Sequence, residues 1–116
     1  MSVITPFPSP RDRQAIAAFD RAELTRILDL YGRMVAAGHW RDYGLSFSPD
    51  VAAFSAFRRA TERPEVWVEK RPALRLKQGQ FALVSEHGAV LKRGNELKVV
   101  LAPIERRLMR LVHRSE

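Results

Sequence analysis

The chain has 116 residues, a net charge of +7 and no cysteine. That length supports one domain with a core large enough to fold without cross-links. The missing thiols exclude disulfides, thiolate metal sites and cysteine nucleophiles, and fit a reducing cytoplasm. No apolar run approaches the roughly 20 residues of a membrane span, so a cytoplasmic protein without a membrane contact is expected. The N-terminus "MSVITPFPSPRDRQAIAAF" has no basic n-region followed by an apolar h-region, and so does not read as a secretory signal. Twenty basic residues against thirteen acidic ones make polyanions and acidic proteins the natural partners. The excess is uneven: Arg58–Lys98 holds ten bases and five acids, while Asp20–Arg33 holds three of each.

Residues 1–14 carry Pro6, Pro8 and Pro10, which remove backbone donors and favour an extended, flexible tail. The domain proper is then residues 15–116. Its first helix is signalled by Asp20 and Glu23, an N-cap and N3 pair of the capping-box kind, with Phe19 and Leu24 placed as a hydrophobic staple. Leu24, Ile27, Leu28, Tyr31, Met34 and Val35 follow at helical spacing, and Gly38 supplies the stop. Gly32 is an expensive residue mid-helix, which predicts close packing there.

The middle reads as four or five antiparallel strands. "DYGLSFS" alternates, and "SPD" (48–50) is a turn. "VAAFSAFRR" has Phe54 and Phe57 three apart, which puts them on opposite faces of a flat strand or implies a bulge. "EVWVEK" sets Val66 and Val68 against Trp67, and Pro72 forbids a central ladder bond after it. "QFALVS" and "AVLKR" flank the hairpin connection "EHG". The last segment, "NELKVVLAPIERRLMRLV", keeps Leu97, Val100, Leu101, Ile104, Leu108, Leu111 and Val112 on one arc, predicting a helix kinked at Pro103. A strand over "LKVVLA" with a shorter helix from Pro103 is the alternative. Helix, strands, helix make a two-layer α+β sandwich. Leu24, Ile27, Leu28, Tyr31, Val66, Val68, Leu83, Leu101, Ile104, Leu108 and Leu111 are the expected core.

Candidate chemistry is sparse. His39, His87 and His113 have no second ligand at metal spacing, so no metal or cofactor is expected and the histidines read as solvent-facing. "HWRDY" (39–43) contains a base and an acid but no nucleophile; Trp40 should pack and Arg41 and Asp42 face water. "LKRGNE" offers Gly94 and Asn95 at a helix start, a weak anion site or simply a turn and an N-cap. The basic stretch "WVEKRPALRLKQGQF" is the strongest signal. If Val66 and Val68 face the helices, Trp67 lies on the open face, where a base can stack. Arg58, Arg59, Lys70, Arg71, Arg75, Lys77, Lys92 and Arg93 would then screen phosphates around it. A non-enzymatic module binding RNA or a ribonucleoprotein is the leading expectation. A protein-interaction adaptor anchored by Trp67 with an arginine rim, its partner an acidic protein, is the alternative. A small enzyme comes third, for want of an acid–base or nucleophile set.

The wording "FDRAELTRILDLYGRMVAAGHWRDYGLSF", with "FRRATERP", "EKRP" and "LKRG", resembles a family of small alphaproteobacterial proteins catalogued only as a domain of unknown function. The resemblance spans about residues 19–112. It implies a bacterial cytoplasmic protein, and no catalytic residue comes with it.

Overall fold

The computed structural model describes residues 16–59 and 63–115; the predicted tail lies outside the described residues. The order is α1 (Arg21–Ala36), β1 (Asp42–Phe47), β2 (Ala52–Phe57), β3 (Val66–Lys70), a 3₁₀ turn (Pro72–Leu74), β4 (Phe81–Ser85), β5 (Val90–Gly94), α2 (Leu97–Val100) and α3 (Ala102–Ser115). The strands form one antiparallel meander, β1-β2-β3-β4-β5. The helices pack on one of its faces, giving the expected α+β sandwich.

Helix α1 begins where its sequence said it would. The Glu23 amide donates to Asp20 Oδ1 and the Asp20 amide to Glu23 Oε1, both at 2.8 Å, satisfying two otherwise orphaned donors. At the other end Gly38 (φ 77°) turns the chain out of the helix, and the Gly38 and His39 amides bond back to the carbonyls of Val35 and Met34. Its buried line differs from the expected one. Ile27, Leu30 and Met34 face the sheet, Leu24 and Tyr31 flank them, and Leu28 and Val35 are 36% and 41% exposed. The Tyr31 ring, set against Trp40, Tyr43 and Phe54, occupies the shoulder that Leu28 would have needed.

Strand alternation places Ala52, Phe54, Ala56, Val66, Val68, Phe81 and Leu83 on the helix-covered face. Phe57 points to the other face with no bulge in β2, since β1–β2 and β2–β3 pair in continuous register. The irregularity falls instead between Leu83 and Val84, where β4 meets β5. Pro72 opens the 3₁₀ turn and ends β3, as its missing N–H requires.

The C-terminal segment is broken rather than kinked. Pro103 has no N–H to continue the ladder, so α2 stops after one turn at Leu101 and α3 starts at Ala102. Residues 97–100 are helix, not strand. The apolar arc survives the break, because Leu97, Val100, Leu101, Ile104 and Leu108 are all buried, while Val112 is exposed. Asn95 is not the N-cap: Glu96 holds that position without a side-chain bond. Asn95 Oδ1 instead accepts from the Gln80 amide and Nδ2 donates to the Arg75 carbonyl, both at 2.8 Å, tying the β3–β4 loop to the start of α2. Beside it Gly79 (φ 106°) lies against Gly94 so closely that a Cβ would sit 2.6 Å from the Gly94 Cα.

Candidate nucleic-acid interface

The second face of the sheet carries no helix among the described residues. The register lines up two rows on it, Gly44–Ser55–Trp67–Val84–Val90 and Ser46–Ala53–Glu69–Ala82–Arg93. Trp67 thus stands near the middle, half-buried, with Phe57 its diagonal neighbour on β2. The small residues Ser55, Ala53 and Ala82 leave the two rings as the relief of this surface.

Trp67 is held. Its indole N–H donates to Glu69 Oε2 at 2.9 Å, and the other carboxylate oxygen of Glu69 accepts from Arg71 Nε at 3.1 Å. Residues 67, 69 and 71 share a face by alternation, so one carboxylate fixes both an aromatic plane and a guanidinium beside it. Arg93 sits in the Glu69 row and donates to the Gly79 carbonyl at 3.2 Å.

The predicted basic set is not one patch. Arg71, Arg75, Lys77 and Arg93 gather at the end of the sheet where β3 leaves and β4 begins. Arg58 and Arg59 follow β2 at the opposite end. Lys70 belongs to the helix-covered face: its ammonium donates to Glu23 Oε1 at 2.7 Å and to the Ala18 carbonyl at 3.0 Å, tying β3 to the capping box of α1. Lys92 pairs with Leu83 and so also projects to the helix side, exposed at the β5 edge. In Gly94 and Asn95 the backbone and amide are engaged within the chain by the contacts already described.

At the Arg58 end lies an arrangement the sequence did not announce. A cleft of about 600 Å³ is lined by Val35, Gly38, His39, Trp40, Arg41, Arg58 and Arg59. Behind it His39 is largely buried, not solvent-facing, with Nε2 at 3.2 Å from Glu65 Oε1. Arg107 of α3 bonds both His39 Nε2 and Glu65 Oε1, and the Trp40 indole N–H donates to the same carboxylate oxygen at 3.4 Å. Burial would raise the Glu65 carboxyl, but the hydrogen bond and charge of Arg107, the proximity of His39 and the Trp40 N–H outweigh it and hold it below its ordinary value. Glu65 Oε2 is buried without a hydrogen bond, 3.6 Å from Arg58 Nε. This network joins the exit of α1, the start of β3 and the middle of α3. It is an ionic latch whose acid is committed to its partners. His39 and Glu65 stand 26 residues apart and Arg107 lies 68 beyond His39, so no local spacing could have exposed it. Trp40 is buried and Arg41 and Asp42 are exposed, as expected of "HWRDY". His87 and His113 are exposed.

No group of three metal-ligating side chains occurs among the described residues, and no helix among them is long and apolar enough to cross a membrane. No curated protein and no solved structure matches the chain. Residues 17–101, from the approach to α1 through all five strands to the end of α2, match the model of a family described as a protein of unknown function (DUF2794), and the chain belongs to that family.

Proposed function

We propose that the protein is a non-enzymatic cytoplasmic module that binds single-stranded nucleic acid, RNA in the first place, across the open face of its sheet. The observation that carries this reading is the pair Trp67 and Phe57 on a face where no described helix packs, with arginines at both ends of the same strands. Bases stack on such rings with about 1–3 kcal/mol each and little sequence preference. Arg59 would meet the backbone at one end, Arg71 and Arg93 at the other, with Arg75 and Lys77 on the adjoining loop; Arg58 is turned to Glu65 beside the cleft at the exit of α1. Glu69 orients Trp67 and Arg71 before any ligand arrives, which lowers the ordering cost of binding. Lys70 and Lys92 have no part in it, because both project from the opposite face.

Titration of labelled single-stranded RNA at several salt concentrations tests the reading. Affinity should fall with salt by a log–log slope of about 0.7 per contacted phosphate. Trp67→Ala should weaken binding roughly ten-fold at unchanged slope, since stacking is not a counterion effect. Arg71→Gln with Arg75→Gln should flatten the slope by about one to one and a half while leaving the fold intact. A salt-independent affinity, or a Trp67→Ala protein that binds as the parent does, would remove the open face from consideration. Loss of one stoichiometric protein partner on Trp67→Ala, with RNA binding absent throughout, would favour the adaptor reading instead.

A further inference from the structure

Beyond any ligand of the open face, the geometry points to a two-fold homodimer formed by antiparallel pairing of β1 with β1 of a second copy about Leu45. β1 is an edge strand, and its only charged residue is Asp42. Natural edges are blunted by lysine, proline or bulges, and the opposite edge of this sheet obeys that rule with Lys92, Arg93 and a register slip. β1 has none of these devices.

Its large exposed side chains are predominantly apolar. Tyr43, Leu45 and Phe47 lie on the helix side of the sheet, yet are 43%, 40% and 52% exposed, because no strand among the described residues pairs beyond β1. Tyr31 of α1 reaches Tyr43 at 5.0 Å between ring centroids. Leu28 and Val35, three residues before and four after Tyr31, therefore share the side of α1 that looks toward this edge. The other side of α1 faces α3, where Arg33 bonds Glu105. Together the five exposed residues offer on the order of 400 Å² of apolar surface, at the scale where a monomer's largest patch usually marks an interface.

The register is self-complementary. The Ser48 amide donates to the Val51 carbonyl at 3.0 Å, so alternation turns the backbone groups of Asp42, Gly44 and Ser46 toward β2 and those of Tyr43, Leu45 and Phe47 outward. A two-fold axis at Leu45 pairs Leu45 with its own copy and Tyr43 with Phe47 twice, using all three outward residues. An axis at Gly44 or Ser46 would leave one outward residue unmatched. Gly32 fits the same scheme. It follows Leu28 by one turn, and nothing among the described residues lies within 4 Å of where its Cβ would stand, so they supply none of the close packing expected of glycine there. A second α1 approaching over the joint would supply it.

Because the chain has no cysteine, single replacements report the pairing directly. In the full chain, Leu45→Cys should form a disulfide-linked dimer under mild oxidation, since opposed Cα atoms about 5.5 Å apart suit a disulfide. Tyr43→Cys and Phe47→Cys should each cross-link slowly alone and quickly when mixed, and Val90→Cys on the far edge should not cross-link. Sedimentation of the parent should show a dimer, and Leu45→Lys, placing two ammonium groups against each other, should sediment as a folded monomer. A parent that stays monomeric up to about 100 µM, far above the micromolar range of ordinary specific association, overturns the proposal. So does a dimer that survives Leu45→Lys, or cross-linking of Leu45→Cys no faster than that of Val90→Cys.

Discussion

Phe54 and Phe57 belong to one six-residue strand, yet they live in different environments. Phe54 is 2% exposed, with Tyr31 and Tyr43 against its ring. Phe57 lies half-buried on the face where no described helix packs. The difference follows from the two-residue period of a strand, which sends residues three apart to opposite sides. One side of the sheet is spent on stability. The other carries no described helix, and its Trp67 and Glu69 are arranged around each other rather than around a core.

The largest expected effect tests that division directly. Phe54→Ala should cost about 3–5 kcal/mol by denaturant titration, whereas Phe57→Ala should cost under about 1 kcal/mol. Equal losses would mean that the second face is packed after all. The same contrast applies to the helices. Leu108→Ala, at a buried position of α3, should cost about 2–5 kcal/mol, and Leu28→Ala under about 1 kcal/mol in a monomer. A Leu28→Ala loss that grows with protein concentration would instead report subunit contacts.

The latch comes next in size. Glu65→Gln keeps the shape but leaves Arg107 without its counter-charge, and should cost roughly 1–3 kcal/mol, discounted because Arg107 is partly exposed. Its pH dependence has a defined sign. The folded Glu65 carboxyl is held below its ordinary value of 4.5, so the stability it contributes is present above that pH and lost as pH falls through the lowered folded value. Melting curves should therefore converge for the parent and Glu65→Gln below the ordinary glutamate range and separate above it. Parallel curves at every pH would mean that the carboxyl is not stabilised by its neighbours. The smallest effect concerns Trp67→Phe, which removes the indole donor to Glu69 but keeps a ring. It should shift the melting temperature little and RNA affinity by less than the alanine replacement, as calorimetry and titration on the same protein can show.

Much of this molecule was legible before any coordinates. Asp20, Glu23 and Gly38 marked both ends of α1 because capping and left-handed turns are decided within a few residues. Trp67 was assigned to the face opposite Val66 and Val68 by alternation alone, and so it stands. Less legible was the orientation of α1. Its apolar residues cover an arc wider than the sheet can bury, and only packing around Tyr31 selected Ile27, Leu30 and Met34 over Leu28 and Val35. Pro103 was visible, but whether a missing N–H bends a helix or ends it depends on what the neighbouring turn can pack against.

The sequence by itself determined the element order, the α+β class and the two-sidedness of the strands, since all three follow from local periods of 3.6 and 2 and from caps read within one turn. Only the tertiary structure decided how the charges are shared out. It split the basic residues between two ends of the sheet, turned Lys70 inward to Glu23, and brought His39, Glu65 and Arg107 into one latch. The reason is physical: ion pairs form between side chains that folding makes neighbours, and separation along the chain carries no record of which those will be.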